Sequence, residues 1–117
     1  MSDLDDMIGM VVSFCEERDW DQYHNPKDLA IGISTEAGEL LDLFRFRNES
    51  ESRQLVESEG SREMVSDELA DVLFFVLRFA QMNGIDLREA LRSKISKNAE
   101  KYPVDRAKGS NRKYSEL

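Results

Sequence analysis

Apolar residues recur at intervals of three and four along most of the chain, and short polar or Gly- and Pro-bearing segments interrupt them. Leu4, Met7, Ile8, Val11, Val12, Phe14 and Cys15 make the first helical stripe, opened by Ser2 and Asp5 at the spacing of a capping box and predicted to fade near Arg18. The polar and aromatic run from Asp19 to Asn25 reads as a connector. Asn25 then caps a second helix with Pro26 at its first position, predicted to extend to about Phe46. Gly38 inside it carries a helix penalty of about 1 kcal/mol, and a close neighbour or ligand is the expected reason for a residue without a side chain. Residues 47–60 are mostly Glu, Ser, Arg and Gln and read as a loop, with at most a helical turn around Arg53 to Val56. A third helix is predicted from near Ser61 to the Asn83-Gly84 stop, and a fourth from the Asp86–Glu89 cap spacing to Pro103.

Nothing in the chain alternates with period two or repeats internally. The expected fold is therefore all-α and four-helix bundle-like, one domain over residues 1–117 with 103–117 as an extended tail. The third helix is apolar on nearly every face, so Phe74, Phe75, Val76 and Phe79 are expected to stand exposed on a monomer and to be covered in a homo-oligomer.

Composition narrows the class. A chain of 117 residues that is 40% hydrophobic and 34% charged has the balance of one globular domain and not of a disordered segment. A net charge of -8 argues against binding a nucleic acid polymer, which needs clustered Lys and Arg, but leaves room for one nucleotide held through a metal. Cys15 is the only cysteine, so no internal disulfide is expected. The longest apolar stretch, near 70–80, falls short of the ~20 residues that cross a bilayer and carries Asp71 and Arg78, so no membrane association is expected. The acidic start lacks the basic segment of a secretory signal, and the cytoplasm is the expected location.

Two acidic pairs change the picture more than composition does. Glu36-Ala-Gly-Glu39 and Glu68-Leu-Ala-Asp71 each place two carboxylates three residues apart, on one face of a helix at about 100° per residue. Asp71 falls in the most apolar helix, where an unpaired carboxylate would cost several kcal/mol, roughly. Like charges at that spacing call for a cation, and hard oxygen donors without cysteine or histidine suit Mg²⁺, with Mn²⁺ as the alternative, better than zinc. A di-iron site of the ferritin-like kind needs Glu-x-x-His pairs, and the one histidine, His24, is remote from both motifs. The bland alternative is a set of surface acids; Asp42 and Asp67 are neighbouring acids able to substitute.

Lys94, Lys97, Asn98 and Lys101 share a face of the last helix, either meeting the phosphates of a nucleotide or forming a solvated basic face near a helix C-terminus. Trp20, Tyr23 and His24 sit in the connector, where they either stack on a base or plug the end of the bundle. The tail segment Lys108 to Tyr114 has small and basic residues suited to phosphate or to a neighbouring subunit, or is frayed.

Taken together these residues resemble the all-α nucleoside triphosphate pyrophosphohydrolases, the MazG-like group that also includes the dimeric dUTPases. Arg18 to Pro26, Gly38-Glu-Leu, Glu68-Leu-x-Asp71-Val-Leu, Lys94-x-x-x-Asn98, Lys101-Tyr-Pro103 and Ala107 to Tyr114 are most similar to its dCTP-hydrolysing branch. That resemblance implies Mg²⁺-dependent conversion of dCTP, or a modified dCTP, to dCMP and pyrophosphate. The same reaction on dUTP, dATP or another nucleotide is the alternative, and a metal-stabilised binding module is the alternative from another class. It further implies a tetramer built as a dimer of dimers and Glu36, Glu39, Glu68 and Asp71 as metal ligands; with those acids on a metal, a free carboxylate, Glu36 or Glu39, is the expected base that activates water. By the same resemblance Trp20, Asp21, Gln22, Tyr23 and His24 contribute to the base and sugar pocket, and Lys94, Asn98 and Tyr102 lie near the nucleotide. Phe46 and Phe75 stand where that branch has a tryptophan and a tyrosine, and Val11 replaces a histidine. The lost hydrogen-bonding groups bear on cytosine preference.

Overall fold

A computed structural model describes residues 2–117. Among them there are helices and turns but no strands. Helix α1 spans Asp3–Glu17, and a 3₁₀ turn, Asp21–Tyr23, leads into α2, Pro26–Phe44. Helix α3, Glu49–Glu57, precedes the longest helix, α4, Glu59–Met82. Then follow α5, Leu87–Lys101, the single turn α6, Val104–Ala107, and a closing 3₁₀ turn, Tyr114–Glu116.

The helix starts are set by local chemistry. The Ser2 hydroxyl accepts the Asp5 N–H at 3.3 Å while the Asp5 carboxylate faces the Ser2 N–H, completing a capping box. Asn25 accepts the Asp28 N–H at 2.9 Å with Pro26 in the first turn. Asp86 accepts from the N–H groups of Arg88 and Glu89. At the other end of α4 the chain turns through Gly84 at φ +65, a left-handed conformation that a side chain disfavours.

Residues 47–60 depart from the expected loop. Asn48 accepts the Glu51 N–H at 2.9 Å, the Glu51 carboxylate accepts the Asn48 N–H at 3.1 Å, and nine helical residues follow. Low apolar content concealed a helix whose start is capped on both sides.

The chain forms two compact units, one running through Gly84 and the other Ile85–Leu117. In the first, α4 is the hub, packed against α2, α1 and α3. The first unit thus holds α1 to α4, and the predicted fourth helix, α5, lies in the second. The core holds Val11, Cys15, Leu29, Leu77 and Ala80, and with them the guanidinium of Arg78. The aromatic side of α4 is half-buried at Phe74, Phe75, Val76 and Phe79, not exposed as expected. On α2 and α4 the large apolar side chains that stand exposed are instead Ile31, Leu41, Met64, Leu69 and Leu73. No helix among the described residues is long and apolar enough to cross a membrane.

Candidate active site

The two i, i+3 pairs meet because α2 and α4 pack side by side with their acidic faces together. One oxygen from each of Glu36, Glu39, Glu68 and Asp71 lies within 4.8 Å of every other. Burial falls unequally on them. Glu36 and Glu68 are half-buried, and each keeps a buried Oε2 without a hydrogen-bond partner, whereas Glu39 and Asp71 are exposed. The expectation that Asp71 carries the burial cost is therefore corrected: Asp71 stands at the open edge, and Glu36 and Glu68 bear the desolvation.

Electrostatics follow from that placement. Burial raises the Glu36 carboxyl above its ordinary range, and the adjoining Glu39, then Asp71 and Glu68, push it further. Glu68 is likewise raised by burial first, then by Glu39, Asp71 and Asp67. Four hard oxygen donors, two of them desolvated and unpaired, fit a divalent cation of the Mg²⁺ type. The two alternative acids stay outside this set, and Asp42 pairs with Arg45, three residues on, at 3.6 Å.

Asp71 also borders a cavity of about 470 Å³. Its walls are Met10, Val11 and Phe14 from α1, Trp20 from the connector, and Phe74 and Phe75 from α4. The aromatic rings meet edge to face: Trp20 on Phe14 at 5.5 Å, Phe14 on Phe74 at 5.7 Å, and Phe74 on Phe75 at 5.4 Å. Trp20 thus both packs the bundle end and walls the cavity. An acidic, metal-ready cluster and an apolar slot the size of a small-ligand site share one residue.

Residues 31–117 match the MazG-like family. The chain belongs to the MazG-like family. Human dCTP pyrophosphatase 1 is 36% identical over 114 residues, which is 97% of this chain and 67% of that protein. The mouse protein of the same name is 34% identical over the same shares. A solved pyrophosphatase structure from Archaeoglobus fulgidus DSM 4304 superposes with a TM-score of 0.79 at 34% identity, covering 88% of this chain and 94% of that one.

The remaining predicted contacts of this MazG-like chain are placed unevenly. Asp21 and His24 are engaged by Arg78, and the Gln22 amide donates to the Asp19 carbonyl at 3.0 Å. Tyr23 is 65% exposed. Phe46, with φ 63, is 91% exposed beneath the Arg45 guanidinium and does not line the cavity that Phe75 lines. Lys94, Asn98 and Tyr102 belong to the second unit, where Lys94 and Asn98 are exposed and the Tyr102 ring meets Tyr114 at 6.0 Å.

Gly38 has no atom within 4 Å of a built Cβ, so no protein neighbour accounts for it. The glycine under steric demand is Gly32, a position its sequence context does not mark. Arg78 was legible only as a charge in an apolar run; that oddity was the available signal.

Proposed function

We propose that the chain is a Mg²⁺-dependent nucleoside triphosphate pyrophosphohydrolase that converts dCTP, or a modified dCTP, to the monophosphate and pyrophosphate. The observation that carries this reading is Asp71, common to the four-acid cluster and to the aromatic cavity. A nucleotide bound with its triphosphate at the acids has an apolar slot beside it for the base. The names of the relatives support the reaction class, being pyrophosphatases and dCTP pyrophosphatases.

Glu36, Glu39, Glu68 and Asp71 would hold the metal, with Mn²⁺ an acceptable substitute. Bound Mg²⁺ supplies positive charge against the triphosphate oxygens. Whichever of Glu36 and Glu39 keeps a free carboxylate oxygen takes a proton from the attacking water as the water oxygen bonds to phosphorus and the α–β phosphoanhydride bond breaks, giving monophosphate and pyrophosphate. Trp20, Phe74 and Phe75 stack on the base and keep water from it. Lys94, Asn98 and Tyr102 are further nucleotide contacts in this reading, suggested by the family resemblance of their spacing.

A second reading keeps the chemistry and changes the base. It is favoured by the carbon-only surfaces that Val11 and Phe75 present to the cavity, because a slot whose polar groups are limited to Asp71 and the Trp20 indole has few hydrogen bonds with which to discriminate among bases. The exposed Ile31, Leu41, Leu69 and Leu73 support assembly into a homo-oligomer, with a tetramer as the proposed form, which sedimentation would measure.

One panel tests the function. Wild type, Glu39→Gln and Asp71→Asn are incubated with dCTP, 5-methyl-dCTP, dUTP and dATP plus Mg²⁺, and monophosphate and pyrophosphate are scored. Cleavage led by the cytidine nucleotides and abolished in both variants is the expected result. Equal rates on all four nucleotides would discard the named substrate, and no cleavage by a folded, metal-binding protein would favour a binding module.

A further inference from the structure

Arg78 is the least expected occupant of the core. Its side chain is 1% exposed, yet it sits in helix α4 among Leu77, Phe79 and Ala80. A guanidinium is always charged and brings five donors, so burial demands acceptors in fixed places. Three are found. Nε donates to His24 Nδ1 at 2.9 Å, Nη1 to Gln81 Oε1 at 2.8 Å, and Nη2 to Asp21 Oδ1.

Two of those acceptors lie more than fifty residues away in the chain, in the connector that carries Trp20. Asp21 is the next residue after Trp20, and the His24 ring meets the Trp20 ring edge-on at 6.1 Å. Because Nδ1 of His24 accepts from Arg78, its proton is on Nε2 and the ring is neutral. Apart from Arg78, the connector is tied to α1 by the Trp20 ring, edge-on to Phe14 at 5.5 Å, and by backbone hydrogen bonds. Asp19 adopts a left-handed φ of 55, Trp20 N–H donates to the Cys15 carbonyl at 3.0 Å, and no residue from Asp19 to Tyr23 is buried. Arg78 also stands seven residues beyond Asp71, two turns along nearly the same face of α4. The helix that contributes Glu68 and Asp71 to the acidic cluster therefore also grips the segment bearing the far wall of the cavity.

We infer that Arg78 is a positioning residue for nucleotide binding: by clamping Asp21 and His24 it holds Trp20 in the wall of the cavity that Phe75 and Asp71 also line, where a base stacks. The inference rests on the pyrophosphohydrolase reading for its ligand, but its geometric half can be read without any reaction. Arg78 does not touch the reacting phosphates in this scheme. Its loss weakens base binding and spares the chemical step.

The chain has one tryptophan, so its fluorescence, excited where tyrosine does not absorb, reports on the clamped wall alone. Wild type, Arg78→Lys and Gln81→Ala are compared. Lysine keeps the charge and loses the fork that serves several acceptors at once, and Gln81→Ala frees one corner of the clamp while leaving Arg78 in place. Both variants are expected to show faster acrylamide quenching of Trp20, more in Arg78→Lys. KM for the best nucleotide should rise by about tenfold in Arg78→Lys, the size of one lost base–aromatic stack, with kcat and the Mg²⁺ concentration dependence held within about twofold. Gln81→Ala should move KM in the same direction by less, which keeps the question open to test if Arg78→Lys fails to fold. Unchanged quenching in every folded variant overturns the clamp, whatever the activity. A fall in kcat at constant KM overturns it as well, by assigning Arg78 to the chemistry. If the wild type cleaves no nucleotide, the pyrophosphohydrolase reading fails on its own account, while quenching still decides whether Arg78 holds Trp20.

Discussion

Gly32 on α2 makes room for Phe75 on α4: a Cβ built at Gly32 lies 2.6 Å from Phe75 Cδ1 and 2.7 Å from Cε1, closer than real atoms approach. The absent side chain lets the ring lie against the helix and wall the cavity beside Asp71. Gly32→Ala is expected to force Phe75 aside and to destabilise the fold by about 1–3 kcal/mol in chemical denaturation, the usual cost of overpacking. Gly38→Ala supplies the contrast. With open space around its Cβ, it should stabilise α2 by about 1 kcal/mol, and equal effects at the two positions would mean the ring is not wedged there.

Burial and mutual repulsion in the acidic cluster work against the metal-free fold. Removing one charge by Glu68→Gln or Glu36→Gln is expected to raise the melting temperature of the metal-free protein and to remove most of the stabilisation that Mg²⁺ gives the wild type. Glu39→Gln should lower kcat by about 10²-fold or more if it serves as the base. A Glu36→Gln variant that melts lower without metal would show that its carboxylate is paired, contrary to its orphaned Oε2.

Both raised carboxyls make the same statement about pH. A Glu held above its ordinary value of about 4.3 contributes stability fully below that value and loses it as pH rises through the folded value. In metal-free protein, the stability of wild type relative to the Glu36→Gln/Glu68→Gln variant should therefore fall as pH rises from 4 toward 7, roughly. Saturating Mg²⁺ should reverse that trend, because the ion binds the ionised form. Denaturation midpoints on a pH ladder, with and without Mg²⁺, read both limbs.

His24 has the opposite sign. Burial lowers its pKa below 6.5, Arg78 lowers it further, and Asp21 opposes them. The neutral ring contributes stability fully above the ordinary value, and that contribution is lost as pH falls through the folded value. His24→Gln offers Arg78 an acceptor that does not titrate. The stability advantage of wild type over this variant should shrink on acidification, and an advantage that grows instead would place a charged imidazole in the folded state.

Helix α3 gives a local test. Asn48→Ala removes one half of its capping box and should cost about 1 kcal/mol, visible as faster amide exchange across Glu49–Glu57.

What could be read from the sequence was periodic or local. The two acidic pairs declare themselves by a spacing of three in apolar surroundings, and Asn25-Pro26 and Asn83-Gly84 mark helix ends by chemistry that acts within a few residues. Asn48 and Glu51 carried the same signature in plain view, but the polar residues after them gave no stripe to extend it. The division of burial among the four acids was not legible, because it depends on which side of the α2–α4 contact the cavity opens. Gly32 and Gly38 could not be ranked without knowing where Phe75 falls. Arg78 was visible as an anomaly in an apolar helix, while its acceptors, Asp21 and His24, become neighbours only through folding.

Helix α4 carries Glu68, Asp71, Phe75 and Arg78 within eleven consecutive residues. Adding or deleting a single residue between Asp71 and Arg78 would rotate one end of that stretch by about 100° against the other. Descendants of this chain can exchange letters between these four positions of α4 but cannot change the count there.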